Sequence, residues 1–195
     1  MQIFWDQKLV FLATPKTGSS AIEMALEPLA STTIARPPEL KHLNFKDFDA
    51  SLAPILNARA DAAFETVALM REPLDWLRSW YRFTLRDLDE RDAGDEKPSF
   101  EAFLHAYMAG ESPIHRHIGR QTDFLTHETT RVSRIFRYEE IERFVHFLED
   151  RLDFAISLPR VNVPPAVNTQ IGPAIEAEIR AYLAPDFALY DGVFG

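Results

Sequence analysis

A short turn between two apolar segments carries residues suited to binding an anion. The chain reads Phe11-Leu-Ala-Thr-Pro-Lys-Thr-Gly-Ser-Ser20 there, with a strand-like run before the turn and a helix-like run after it. A strand that ends in such a turn directs backbone N–H groups and a helix N-terminus to one place, where an anion binds well. Lys16 adds a positive charge, and the side chains of Thr17, Ser19 and Ser20 add hydroxyl donors. The pattern predicts a site for a phosphate or a sulfate.

The order of these residues differs from that of the nucleotide triphosphatase loop. That loop reads G-x-x-x-x-G-K-[ST], with the lysine directly after the second glycine. Here Lys16 comes two residues before Gly18, and no glycine lies four or five residues earlier. An ordinary strand-to-helix turn is the alternative interpretation, because Pro, Lys, Gly and Ser are common turn residues.

A second segment has the same strand-to-helix form. Residues 65–70 indicate a buried strand, and Pro73 suits the first turn of the helix that follows. Apolar residues at 74, 77, 81, 85 and 88 recur at helical spacing, which predicts a long amphipathic helix. Arg71 then lies at the strand end and Ser79 two turns along the helix. Arginine offers a planar fork of donors that matches a phosphate, and serine adds a hydroxyl.

Together the two segments resemble a known family. The order P-K-[ST]-G-[ST]-[ST] over 15–20 resembles the 5′-phosphosulfate loop of the sulfotransferases that use 3′-phosphoadenosine-5′-phosphosulfate (PAPS). The order R-[DE]-P, with a serine eight residues after the arginine, resembles their 3′-phosphate motif. The pattern resembles that of soluble bacterial members and of the Golgi-type catalytic domain of sulfotransferase family 2. The alternative is that Arg71 pairs with Glu72 or Asp75 and that Ser79 is only a small packed residue.

The resemblance implies a fold and a set of ligand contacts. The fold is an α/β, P-loop-like three-layer sandwich with a central, mostly parallel sheet flanked by helices. It forms one domain over 1–195, with an insertion on the acceptor side around 87–125. PAPS is the expected co-substrate, 3′-phosphoadenosine 5′-phosphate (PAP) is its product, and no metal is expected. The residues expected to bind PAPS are Lys16, Thr17, Gly18, Ser19, Ser20, Arg71, Ser79, and Arg160 and Asn162 of a Pro-rich loop.

The reaction implied is in-line transfer of a sulfuryl group from PAPS to a hydroxyl or amine acceptor. Like phosphoryl transfer, it depends mainly on positioning and on charge stabilisation. Lys16 is the expected stabiliser of the leaving group. His42 is the first candidate for the general base, with His115 and His117 as rivals. The H-x-H spacing of that pair also permits a metal interpretation, although no third ligand is evident nearby.

Later segments fit the same resemblance. Residues 132–141 resemble the family's later strand with its Y-E sequence, and 139–152 carry a helical apolar stripe. A last helix is predicted over 171–183, and 184–190 resemble the short C-terminal tail of bacterial members. Gln121 and Asp123 are expected to line the acceptor site or to contact the nucleotide.

Composition limits the classes of function. The chain has 195 residues, 46% of them apolar and 26% charged, which is ordinary for a single globular domain. It has no cysteine, which excludes disulfides, thiolate metal sites and a cysteine nucleophile. The net charge of −9 argues against a nucleic acid partner. The sequence shows no signal peptide and no run of about 20 apolar residues, so a cytoplasmic protein is expected.

Several points stay open at this level. The acceptor is a small molecule, a lipid head group or a glycan, and the sequence does not indicate an oligomeric state. A small-molecule kinase using ATP and Mg²⁺ is one alternative function. A module that binds PAP or another nucleotide without catalysis is another, because the binding motifs are clearer than the base.

Overall fold

A five-stranded sheet forms the centre of the molecule. The computed structural model describes residues 1–90, 97–110, 118–159 and 167–193, with the backbone alone for 88–90. The strands, in chain order, are β1 (Gln2–Phe4), β2 (Leu9–Leu12), β3 (Thr32–Thr33), β4 (Glu65–Met70), β5 (Thr126–His127), β6 (Thr130–Arg131) and β7 (Arg134–Arg137). The order in the sheet is β3-β1-β2-β4-β7, and β5 and β6 form a separate pair. Because β1 alone runs against its neighbours, the sheet is mostly parallel, as the sequence predicts.

Helices connect the parallel strands. They are α1 (Ser19–Leu26), α2 (Pro38–Lys41), α3 (Phe45–Ala60), α4 (Pro73–Glu90), α5 (Phe100–Ala109), α6 (Gln121–Leu125), α7 (Ile141–Leu152), α8 (Pro173–Tyr182) and α9 (Ala184–Asp191). A 3₁₀ turn over Tyr138–Glu140 joins β7 to α7. In the part of the chain that the structure describes, no helix combines the length and the apolar character that crossing a membrane requires.

The strands bury alternate side chains on opposite faces of the sheet, which creates three layers. On β2, Val10 and Leu12 pack with Phe48 of α3, while Leu9 and Phe11 pack on the other face with side chains of α1 and α7. This alternation is the side-chain period of a strand buried on both faces. A third cluster joins α4 to α5 and α8. The predicted α/β sandwich, with its sheet flanked by helices, is therefore confirmed.

The parallel strands end at one edge, and the connections after them meet there. β2 ends at Leu12, β4 at Met70 and β7 at Arg137. In open α/β sheets, ligands bind at the carboxyl ends of the strands, where the connections to the helices form a crevice. Both predicted anion motifs follow directly from two of these strand ends, so the topology brings them to the same edge.

The long helix after the second motif begins and packs as predicted. Pro73 is its first residue, where a missing N–H is tolerated. Leu74, Leu77 and Tyr81 are all buried against α5. The predicted tail over 184–190 is the helix α9, and the predicted later strand is shorter than expected, because only Arg134–Arg137 pair with β4.

Candidate anion and sulfuryl-transfer site

The loop after β2 is held in shape by its own hydrogen bonds. The Thr17 hydroxyl donates to the carbonyl oxygen of Thr14 at 2.9 Å, and both residues are fully buried. Gly18 precedes α1 with φ 73°, and no side chain caps that helix among the described residues. The indole Nε1 of Trp76, on α4, donates to the carbonyl oxygen of Pro15 at 2.9 Å. The uncapped first turn of α1 can therefore offer its N–H groups to an anion.

Lys16 lies between the loop and the aromatic face of α4. Its Nζ is 4.0 Å from the ring centroid of Phe83 and 5.4 Å from that of Trp80. Burial, together with the positive charges of Arg86 and Arg71, lowers the pKa of Lys16 to about 8. Lys16 also adopts φ 64°, a conformation that residues other than glycine rarely adopt. Its ammonium group is poorly solvated, so it would attract a nearby anion more strongly than the ammonium group of an exposed lysine would.

Arg71 lies at the end of β4, and its guanidinium contacts the Lys16 loop. Nη1 donates to the carbonyl oxygen of Lys16 at 3.2 Å, and Nε donates to Oδ2 of Asp75 at 2.7 Å. Nη2 forms an ion pair with the same Asp75 oxygen at 2.5 Å. The pairing with Asp75 given above as an alternative is thus present. Arginine has five N–H groups, and these contacts use three. Two N–H groups therefore remain for an anion within the described part of the structure.

Tyr138, the residue that follows β7, contacts both motifs. Its ring lies 4.7 Å from the guanidinium carbon of Arg71, a cation–π distance. A Cβ built on Gly18 would lie 3.0 Å from Cε2 of the same ring. The ring therefore packs against both motifs at once, and a Cβ at position 18 would require the ring to shift. Sequence reasoning did not assign Tyr138 to the site, although its place directly after the third parallel strand is a signal for it.

Ser79 follows Asp75 by one helical turn. Residues four apart on a helix lie on the same face, and Asp75 is bound to Arg71. Ser79 is half-buried there. The structure therefore brings Lys16, Thr17, Gly18, Ser19 and Ser20 together with Arg71, and places Ser79 on the helix face that Arg71 contacts.

His42 lies beside the same loop. Its Nδ1 is 2.6 Å from the carbonyl oxygen of Ala13, the residue that follows β2. A carbonyl oxygen only accepts, so Nδ1 carries the proton and donates. Burial is the main cause that lowers the pKa of His42, and the charge of Lys41 lowers it further, against the opposing effects of Ala13 and Glu23. The neutral ring therefore has an unprotonated Nε2.

Four of the predicted residues lie outside the described part of the chain. They are the rival bases and the residues of the Pro-rich loop, namely His115, His117, Arg160 and Asn162. Within 1–90, 97–110, 118–159 and 167–193, no group of three or more His, Asp or Glu side chains gathers in a way that could hold a metal ion.

Gln121 has a different place from the expected one. It is fully buried, and its side-chain amide binds the backbone of Arg71, whereas Asp123 is exposed. Its Oε1 accepts from the N–H of Arg71 at 2.9 Å, and its Nε2 donates to the carbonyl oxygen of Arg71 at 2.8 Å. Gln121 thus contacts the arginine of the site, and no local pattern in the sequence indicates this contact.

Comparison with known proteins finds a similar fold among solved structures and no sequence relative. No protein-family model matches the chain, and no curated protein matches it. Among solved structures, the crystal structure of a sulfotransferase from Alicyclobacillus acidocaldarius is similar at 18% identity and a TM-score of 0.48, over 93% of this chain and 92% of that one.

Proposed function

We propose that this protein is a PAPS-dependent sulfotransferase that transfers a sulfuryl group, in line and without a metal, to a hydroxyl or amine acceptor. The main support is the contact between the two motifs. Arg71 Nη1 donates to the carbonyl oxygen of Lys16 at 3.2 Å, although 55 residues separate them in the chain. A ligand with a sulfated 5′-phosphate and a separate 3′-phosphate requires two adjacent anion sites, and these two motifs are adjacent.

The loop after β2 suits the phosphosulfate. Gly18, in its left-handed conformation, is followed at once by the uncapped first turn of α1, which offers backbone N–H groups. The hydroxyl groups of Ser19 and Ser20 and the Nζ of Lys16 add further donors. The chain carries a net charge of −9, so binding a multiply charged nucleotide depends on positive charge concentrated at this place. Lys16 and Arg71 supply it.

The second motif suits the 3′-phosphate. Arg71 is fixed by Asp75 on one side and by Lys16 on another, and it retains two N–H groups for a phosphate. Ser79 adds a hydroxyl on the same face of α4. Charge-assisted hydrogen bonds of this kind are worth roughly 1.5–3 kcal/mol each. They would let the site discriminate PAP from a nucleotide that lacks the 3′-phosphate.

PAPS, when bound, supplies the sulfuryl group that passes to the acceptor oxygen or nitrogen. We assign the general base to His42, because its neutral form has an unprotonated Nε2 that can take the acceptor proton. We assign the stabilisation of charge on the leaving phosphate to Lys16. We place the acceptor on the side of 87–125, and we propose that it is a small molecule, a lipid head group or a glycan.

Calorimetric titration of the protein with PAP, 5′-AMP and ATP–Mg²⁺ tests the proposal. We expect tight binding of PAP, much weaker binding of 5′-AMP, and loss of that difference in Arg71→Ala. Arg59→Ala, on the surface of α3, is the matched control for loss of an arginine. Binding of ATP–Mg²⁺ with no preference for PAP would favour the kinase. Tight PAP binding without sulfate transfer to any acceptor in a panel would favour a nucleotide-binding module.

A further inference from the structure

Gln121 binds both backbone groups of Arg71 with one side chain. Arg71 is the first residue beyond β4, where the pairing with β7 ends at Met70 and Arg137. The amide of Gln121 accepts from the N–H and donates to the carbonyl oxygen of Arg71. Paired residues of an antiparallel ladder exchange the same two hydrogen bonds. The side chain thus replaces a neighbouring strand at the one residue where the sheet has ended.

Gln121 is in turn held by the C-terminal helix. Asp186, on α9, is 1% exposed. Its Oδ1 accepts from the backbone N–H of Gln121 at 2.8 Å and from that of Thr122 at 3.2 Å, and its Oδ2 accepts from the Thr122 hydroxyl at 3.3 Å. One carboxylate therefore fixes the start of α6, from which Gln121 reaches Arg71. These bonds connect α9 to Arg71 through a single intermediate residue.

We propose that Gln121, held by Asp186, is a positioning residue that sets the direction of Arg71 toward the 3′-phosphate. This inference rests on the function proposed above. The guanidinium lies at the end of a long side chain, so a small rotation of the Arg71 backbone displaces it by much more at its tip. Asp75 and Lys16 bind the guanidinium, whereas the hydrogen bonds of Gln121 go to the Arg71 backbone itself. Gln121 provides the constraint on the backbone and touches no reacting atom.

A positioning role and a purely structural role of Gln121 predict different changes in nucleotide affinity. If Gln121 only stabilised the fold, its loss would lower the melting temperature and would weaken the binding of all nucleotides by the same factor. If it positions Arg71, its loss weakens the binding of PAP and leaves the binding of 5′-AMP unchanged, because 5′-AMP lacks the 3′-phosphate. The informative quantity is therefore the ratio of the Kd for 5′-AMP to the Kd for PAP.

The test measures that ratio calorimetrically in the wild type, Gln121→Met, Arg71→Ala and the double variant. Methionine matches glutamine in length and makes neither hydrogen bond, and it adds no charge. We expect Gln121→Met to lower the ratio about tenfold, the effect of one charge-assisted hydrogen bond, with the 5′-AMP affinity unchanged. In the Arg71→Ala background, the same change should have no further effect on the ratio.

Gln2→Met is the matched control. Gln2 is also fully buried, and its amide donates to the carbonyl oxygen of Glu23 at 2.9 Å, away from Arg71. This variant should lose stability and keep the wild-type ratio. Should Gln121→Met fail to fold, Asp186→Asn replaces it, because asparagine retains one oxygen for the two N–H groups. We expect that variant to lower the ratio in the same direction by a smaller factor.

The outcomes distinguish this inference from the proposed function. A wild-type ratio near one would overturn the proposed function, and the inference with it. A high wild-type ratio that Gln121→Met or its replacement leaves unchanged would overturn the inference alone. The same conclusion would follow if the variant weakened PAP and 5′-AMP by equal factors, or if its effect persisted without Arg71.

Discussion

The Nδ1 atom of His42 lies 2.6 Å from the carbonyl oxygen of Ala13, at the start of the anion-binding loop. This contact fixes both the position and the tautomer of the ring. Because Nδ1 donates its proton to this carbonyl oxygen in a hydrogen bond, the neutral ring presents an unprotonated Nε2. A general base needs this combination of a fixed orientation and a free nitrogen. The same bond joins the base to the loop that we propose binds the phosphosulfate.

Replacing His42 should slow sulfuryl transfer strongly and leave the binding of PAP intact. Asparagine can keep the donor to Ala13 with its amide nitrogen while it removes the base, so His42→Asn is the variant of choice. We expect kcat to fall by about 10²–10⁴-fold, the usual contribution of a general base, with the Kd for PAP unchanged. His146→Asn, an exposed histidine on α7, is the control. Retention of wild-type kcat in His42→Asn would show that another residue is the base.

The pH dependence should follow the lowered pKa of His42. The base acts when neutral, so the rate should fall only as pH drops through a pKa below the ordinary value of 6.5. Burial disfavours the charged form, so the folded state binds fewer protons than the unfolded state near that pH. The free energy of unfolding should therefore decline as pH falls below 6.5, and decline less in His42→Asn. Profiles of kcat/KM against pH test the expected fall in rate, and denaturant titrations between pH 5 and 8 test the expected fall in the free energy of unfolding.

Binding of PAP should depend on the protonation of Lys16. With a pKa near 8 in the free protein, Lys16 loses its charge above that pH, and a bound anion raises the pKa again. The Kd for PAP should therefore rise above pH 8, by up to tenfold per pH unit, and binding there should take up a proton. Lys16→Met should bind PAP more weakly, with a Kd that is flat from pH 7.5 to 9.5. A wild-type Kd that is equally flat would contradict this role.

Lys16 should make the stability of the protein depend on pH in the alkaline range, whereas His42 does so in the acidic range. The pKa of Lys16 is about 8 when folded and 10.5 ordinarily, so the unfolded state binds more protons between these values. The contribution of Lys16 to the free energy of unfolding should therefore increase as pH rises through that window, and Lys16→Met should not show this increase. Denaturant midpoints at pH 7.5, 8.5 and 9.5 measure the difference between the two proteins.

Adding a methyl group at Gly18 should disturb both motifs. Gly18→Ala places a Cβ 3.0 Å from the Tyr138 ring, which itself packs on Arg71. The left-handed backbone should cost about 1–2 kcal/mol for any residue with a Cβ. Gly110→Ala is the matched control, because Gly110 has a similar φ of 64° and nothing lies within 4 Å of the added Cβ.

The two glycine variants separate backbone strain from contact. Both variants should have a lower melting temperature, whereas only Gly18→Ala should bind PAP more weakly. The expected loss of affinity is about tenfold or more, because the displaced ring moves against the guanidinium of Arg71. Equal PAP affinity in the two variants would show that the Tyr138 contact does not matter for binding.

Local patterns predicted the two binding motifs, and distant packing determined the rest. Lys16 and Arg71 each follow a strand and precede a helix, so their surroundings are encoded within about ten residues of sequence. Gln121 and Asp186 join the site through contacts across 50 and 65 residues. A single buried glutamine or aspartate has no periodic signal, so its partner is known only when the fold is known.

The elements that the sequence did not reveal have weak patterns. Helix α3 buries only Phe45, Phe48 and Ala53 and contains Pro54, so its apolar stripe is sparse. Strand β1 has three residues and pairs with β2 in an antiparallel hairpin. Its short apolar run is compatible with either a strand or a helix. Tertiary packing against the parallel strands decides both elements.

Removing the hydroxyl of Ser79 should weaken the binding of PAP selectively. A hydroxyl donor to a charged phosphate is worth roughly 1.5–3 kcal/mol, so Ser79→Ala should raise the Kd for PAP about ten- to a hundredfold. The Kd for 5′-AMP should not change, because Ser79 lies on the Arg71 side of the site. Ser51→Ala, on the exposed surface of α3, is the control. Equal weakening of PAP and 5′-AMP would assign Ser79 to the packing of α4. No change in either affinity would remove it from the 3′-phosphate site and leave Arg71 as the residue that discriminates.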